Sequence, residues 1–149
     1  MKITDLKPQA IWTIFNEITQ VPRPSKKEEK IRQYLMDWAA KNNIEVKEDE
    51  TGNILMSVPA TPGCENAPVL TMQAHMDMVC EKNSGVVFDF ENDAIKTVVD
   101  GDWVRAEGTT LGADNGIGMA GAMAILIDKN IKHGPLEALF TVDEETGLT

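Results

Sequence analysis

Ile11, Ile14, Phe15 and Ile18 recur at the spacing of one helical face, and Pro8 suits the first turn of the helix they predict, which runs to about Gln20. Val21-Pro22-Arg23-Pro24 then breaks it. Ser25 followed by Glu28 has the form of a capping box, so a second helix is expected behind it, buried along Ile31, Leu35, Trp38 and Ala39. At Ile44 the period changes to two. Ile44-Glu45-Val46-Lys47 and Ile54-Leu55-Met56-Ser57-Val58 flank the turn residues Thr51-Gly52-Asn53 and read as a hairpin.

Pro59 to Pro68 is a loop, and Val69 to Ala74 is apolar enough for a strand buried on both faces, central to a sheet. A second hairpin is expected about Asp100-Gly101, between Ile95–Val99 and Trp103–Ala106. Gly108 to Gly118 reads as a loop, Met119 to about Asp128 as a packed helix, and Leu136 to Val142 as a last strand that runs into Asp143-Glu144-Glu145-Thr146-Gly147. Helices, hairpins and strands joined by a helix predict a three-layer α/β domain with a mixed sheet. No internal repeat or domain boundary interrupts it.

With 149 residues, 42% of them hydrophobic and 26% charged, the chain has the make-up of one globular unit with its own core. A formal charge of −10 offers no basic stripe for phosphates, which argues against a nucleic-acid partner. No apolar run approaches the roughly 20 residues that span a bilayer, and the start lacks a signal-peptide pattern. A cytoplasmic setting with no membrane partner is therefore expected. Cys64 and Cys80 lack a CxxC spacing and read as free thiols, Cys80 as a small apolar filler.

Three segments carry chemistry. His75-Met76-Asp77 follows the strand that ends at Ala74, and alternation puts His75 and Asp77 on one side, where an imidazole can bind a metal while a carboxylate holds its other nitrogen. The same triplet also suits an ordinary hydrogen-bonded histidine. Asp114, in Gly112-Ala113-Asp114-Asn115-Gly116, stands ahead of the apolar helix as an N-cap or as a carboxylate bridging two cations. Asp143-Glu144-Glu145 crowds three acids at a strand end, a solvated loop unless a cation is held there. In a metal site one glutamate would bind the ion and the other would take a proton from water. Sites in open α/β sheets form outside the carboxyl ends of strands, so one shared pocket accounts for all three segments.

A rival of another class is a nucleotide-binding module, since Gly116, Gly118 and Gly121 match GxGxxG and Asp143 ends the next strand. That fingerprint needs a buried strand leading into the glycines, and Glu107-Gly108-Thr109-Thr110-Leu111-Gly112 makes a poor one. Asp114 would also repel a pyrophosphate. A calcium loop at Asp89 to Asp93 fails because Ala94 stands where glycine is required.

His75-Met76-Asp77-Met78-Val79-Cys80-Glu81-Lys82, Leu111 to Gly118 and Asp143 to Gly147, in that order and with Val21-Pro22-Arg23-Pro24-Ser25 near the start, resemble the aminoacyl-histidine dipeptidases. These are also called peptidase D or beta-alanyl-histidine dipeptidases, and belong to the wider group of co-catalytic zinc peptidases. The resemblance runs over essentially the whole chain. It implies that His75 binds one zinc, Asp114 bridges two and Glu145 binds the other, that Asp77 orients His75, and that Glu144 is the general base.

It implies a small peptide as substrate, hydrolysed by metal-activated water, with two zinc ions as cofactors; imidazole and carboxylates also suit manganese or cobalt. A related tripeptidase or aminoacylase is the nearest alternative. The family is several hundred residues long, so residues 1–149 correspond to the amino-terminal part of its catalytic domain, truncated before a further carboxylate ligand, a further histidine ligand and an inserted domain used for substrate binding and dimer formation. His133, the other histidine, precedes the last strand and is expected away from the site. The isolated chain is accordingly expected to have little or no activity, and the parent enzyme to be a homodimer.

Overall fold

The computed structural model describes residues 1–148. Helix α1 (Gln9–Thr19) buries Ile14, Phe15, Ile18 and Thr19, and helix α2 (Glu29–Lys41) buries Ile31, Leu35, Trp38 and Ala39, the faces that the helical spacing marks out. The start of α2 differs from expectation. No side chain caps it. The Ser25 hydroxyl instead donates to Asp77 Oδ2 at 2.6 Å, and Glu28 Oε1 accepts the Asp143 amide at 2.9 Å. Bonds to a buried carboxylate and a buried amide win over a cap, because leaving those groups unpaired costs more than leaving a helix end to solvent.

Strands β1 (Glu45–Glu48) and β2 (Ile54–Val58) form the first hairpin, closed by Asp49, whose Oδ1 accepts from the amides of Thr51, Gly52 and Asn53. Strand β3 (Leu70–His75), the β4 (Thr97–Asp100) and β5 (Trp103–Ala106) hairpin, and β6 (Leu136–Thr141) follow the expected ranges closely. The main sheet has the order β1-β2-β6-β3 and is mixed: β6 runs antiparallel to β2 and parallel to β3. The position of β3 corrects the reading of its sequence. It is an edge strand among the described residues, with Leu70, Thr71 and Gln73 exposed and only Ala74 and His75 buried. A short apolar run such as Val69-Leu70 looks alike in a central strand and at an edge.

Register puts Ile54, Phe140 and Ala74 in one row and Met56, Ala138 and Met72 in the next. Side chains of this face join Phe15 and Ile18 of α1, Ile31 and Leu35 of α2 and the helix described next in a single core cluster. Burying one such large side chain stabilises by about 1.5–3 kcal/mol. The alternate positions carry polar pairs, Thr71 with Glu137 and Gln73 with Thr141. The α/β class with a mixed sheet is thus established, and the described residues supply the sheet and the helices over one of its faces.

Helix α3 (Ala113–Ile127) begins earlier than the apolar run at Met119 suggests, and its first turn is broken: Asp114 and Asn115 have non-helical backbone angles, and the peptide between them is cis. Its remainder buries Gly116, Met119, Ala120, Ala122, Met123, Ala124 and Leu126. Small residues at several of these positions let α1 pack close against it. Residues 107–112 form no strand, so the glycines of the nucleotide-binding reading lack the strand they require, and Gly116 faces Phe15 and Arg23 inside the fold. Around Asp89 the acids close a turn, Asp89 Oδ1 accepting from Glu91 N and Oδ2 from Asn92 Nδ2, while Lys27 pairs with Glu91. Both cysteines are free, and no helix among the described residues is long and apolar enough to cross a membrane.

Candidate metal centre

Because β3 and β6 are parallel neighbours, His75 at the end of one pairs with Thr141 at the end of the other, and the segments that follow both strands leave from one edge of the sheet. The broken first turn of α3 meets them there. His75 Nε2 lies 2.8 Å from Asp114 Oδ1, 3.8 Å from Glu144 Oε2 and 3.9 Å from Glu145 Oε1. One ligand-type atom each from His75, Asp114 and Glu145 fits within a span of 4.8 Å. The structure therefore gathers His75, Asp77, Asp114, Glu144 and Glu145 into one place.

The other ring nitrogen of His75, Nδ1, lies 3.0 Å from the Asp77 carbonyl and 3.2 Å from Asp77 Oδ1, so it carries a proton. Nε2 also faces an acceptor, Asp114 Oδ1. Without a cation both nitrogens must be protonated, and the His75 pKa is accordingly raised: burial opposes the charged form, but the bond to Asp114 and the charge of Asp77 prevail. A metal ion at Nε2 would take the place of that second proton. Glu145 is pushed up by burial first and then by the charge of Asp114.

Asp77 is fully buried and saturated as an acceptor. Its Oδ1 accepts from His75 Nδ1 and the Glu144 amide at 3.1 Å; its Oδ2 accepts from the Ser25 hydroxyl and the Glu145 amide, also at 3.1 Å. One carboxylate thus fixes both the histidine ring and the turn that presents the two glutamates. Asp114 and Glu144, by contrast, have side chains 83% and 45% exposed, open to an incoming molecule.

Sequence reasoning gave three neighbours no part in this site. Arg23, 1% exposed, donates from Nη1 to the carbonyls of Met76 (3.1 Å) and Asp77 (3.4 Å) and from Nη2 to the carbonyl of Gly112. Burial lowers its pKa to about 10, which leaves it charged at neutral pH. Ser25 and Glu28 complete the group, Glu28 lying with Asp77 and Asp143 in a second cluster of buried carboxylates. The available signal was Arg23 between Pro22 and Pro24, an arginine on backbone that cannot join either helix. Gly112 has φ +76°, and a Cβ there would collide with Arg23 Nη2. His133 lies elsewhere, exchanging backbone and hydroxyl bonds with Thr61 ahead of β6, as its place in the chain implies.

Residues 71–148 match the family model described as peptidase family M20/M25/M40. The chain is 50% identical over 147 residues to the cytosol non-specific dipeptidase of Escherichia coli, a match that takes in 99% of this chain and 30% of that protein. It superposes with a TM-score of 0.97 on the crystal structure of an aminoacylhistidine dipeptidase from Vibrio alginolyticus, at 50% identity, over 100% of this chain and 30% of that one. A Bacillus subtilis protein described as a dinuclear metal binding peptidase from the M20 family shares the fold, with a TM-score of 0.57 at 16% identity over 91% of this chain and 35% of that one. The chain thus spans about 30% of the length of the first two relatives.

Proposed function

Since this chain belongs to peptidase family M20/M25/M40, we propose that it is the amino-terminal part of the catalytic domain of a metal-dependent dipeptidase, acting in the cytoplasm on small peptides, aminoacyl-histidine dipeptides among them. The observation that carries the proposal is the convergence of His75, Asp114 and Glu145 within 4.8 Å, with Glu144 beside them. The two relatives at 50% identity are named as dipeptidases, which supports the substrate class. In this reading the full-length protein is a homodimer.

The residues present fit a pair of divalent cations. His75, with its Nδ1 proton fixed, would offer Nε2 to one, and Asp114 and Glu145 would supply carboxylate oxygens to the pair. Imidazole and carboxylate donors suit zinc, with manganese or cobalt as substitutes. When bound, the cations supply Lewis acidity for a peptide carbonyl and lower the pKa of water. Asp77 keeps the imidazole in the metal-binding tautomer. Glu144, solvent-accessible and held by its own amide to Asp77, accepts the proton of the attacking water and returns it to the leaving amine.

Metal uptake must displace the second proton of His75. The raised pKa means that, in metal-free protein, the His75–Asp114 bond contributes stability that is fully present below the ordinary value of 6.5 and is lost as pH rises through the raised one. Zinc binding is therefore expected to release protons near pH 6.5 and to tighten with rising pH as that release declines. Calorimetric titration in buffers of different ionisation enthalpy measures this; identical heats in every buffer near pH 6.5 would refute it.

The function is tested by assaying the full-length protein and the 149-residue chain against aminoacyl-histidine and other dipeptides, before and after metal is stripped and zinc restored. Turnover by the full-length protein that follows metal occupancy is expected, with little or none from the short chain. Metal-independent hydrolysis would overturn the mechanism, and robust turnover by the short chain would overturn the expectation that more of the protein is required.

A further inference from the structure

Two ligand-bearing stretches of the centre meet without any backbone hydrogen bond linking them among the described residues: His75-Met76-Asp77 after β3, and Gly112-Ala113-Asp114 at the start of α3. Beyond the side-chain bond from His75 Nε2 to Asp114 Oδ1, their backbones are joined through the segment 21–25. Pro22 and Pro24 fix their own φ angles and disfavour helical backbone at Val21 and Arg23, the residues before them. Pro24 bridges to Met78 in parallel fashion, and the Met78 amide donates to the Arg23 carbonyl at 3.0 Å. That pairing aims Arg23 and Ser25 at the centre.

We propose that residues 21–25 form a strap that sets the separation of His75 and Asp114, with Arg23 and Ser25 as positioning residues for metal binding. The inference rests on the metal-centre reading above. The guanidinium is a rigid planar fork: one arm holds the carbonyl that follows His75, the other the carbonyl two residues before Asp114. A lysine ammonium has three donors on one nitrogen but no planar fork, so it does not hold the two carbonyls at a fixed separation. Ser25 acts on the same framework through Asp77 Oδ2, the oxygen that also holds the Glu145 amide.

Packing alone does not account for this arrangement. An apolar side chain would fill the space without the desolvation of a charge, and Arg23 Nε is a buried side-chain nitrogen with no hydrogen-bond partner. The guanidinium is held there by its two arms. Gly112 yields the room it needs, since any larger residue would push Nη2 away.

The test uses the full-length protein, stripped of metal and titrated with cobalt(II), whose visible spectrum reports ligand geometry as well as occupancy. Arg23→Lys, Ser25→Ala and His75→Ala are compared with wild type, folding being checked by circular dichroism. Arg23→Lys and Ser25→Ala are expected to stay folded, to bind cobalt about 10- to 100-fold more weakly and to show a changed spectrum, the usual scale for partners that orient ligands. His75→Ala is expected to lose that part of the spectrum altogether. If His75→Ala binds like wild type, the metal-centre reading fails and the strap with it. If His75→Ala loses the signal while Ser25→Ala and folded Arg23→Lys match wild type in affinity and spectrum, the strap alone is overturned. Should Arg23→Lys fail to fold, Ser25→Ala decides on the same criterion.

Discussion

In the full-length protein, Glu144→Gln is expected to lower kcat by about 10²- to 10⁴-fold, the contribution of the proposed general base, while leaving metal content and fold close to wild type. The side chain is 45% exposed and, among the described residues, reaches only His75 Nε2, at 3.8 Å; the turn is anchored by the Glu144 backbone amide to Asp77, which glutamine retains. Glutamine also keeps the length and one oxygen, so only the capacity to take a proton is removed. Steady-state kinetics beside metal analysis by atomic emission provides the check. Loss of metal along with turnover would show that Glu144 and Glu145 have each other's roles.

Asp77→Asn is expected to weaken zinc binding by about 10- to 100-fold and to lower the melting temperature of the metal-free protein as well. The carboxylate receives four donors and is fully buried, so an amide cannot satisfy them all. The least costly orientation turns the new NH2 toward Ser25, whose hydroxyl can rotate to accept. The Glu145 amide then faces a donor. One unsatisfied buried amide costs about 1–3 kcal/mol, enough to displace the turn that carries both glutamates. Thermal melts with and without zinc, together with a zinc titration, measure both effects; wild-type affinity in this variant would mean that Asp77 does not govern the ligands.

Much of this architecture is legible in the sequence, and the exceptions share a cause. Periodicity located the buried faces of α1 and α2 and both hairpins, because those signals are local and repeated. Ser25 and Glu28 imitate a cap in sequence, since the short pattern is the same whether its side chains turn back to the helix or reach Asp77 and Asp143, 52 and 115 positions away. The start of α3 was placed late because Asp114 and Asn115 break the helix locally, and the edge position of β3 depends on pairing partners that a single strand does not reveal. Within the site, the three acidic and histidine segments stood out by residue type, whereas Arg23 did not. Its work is done through backbone carbonyls, which leave no mark on the residues they belong to.

The β6 strand lies between β2 and β3, and the groups it helps to assemble come from stretches 39 to 115 residues apart along the chain. Contacts of such separation form after local helices and hairpins, because the entropy of closing large loops must first be offset. The cluster of His75, Asp114 and Glu145 is therefore expected to form late in folding, once β3 has docked on β6. A cation present from the outset cannot serve as a template for the early stages; it can only lock the finished topology, so chelation should hasten unfolding far more than it slows refolding.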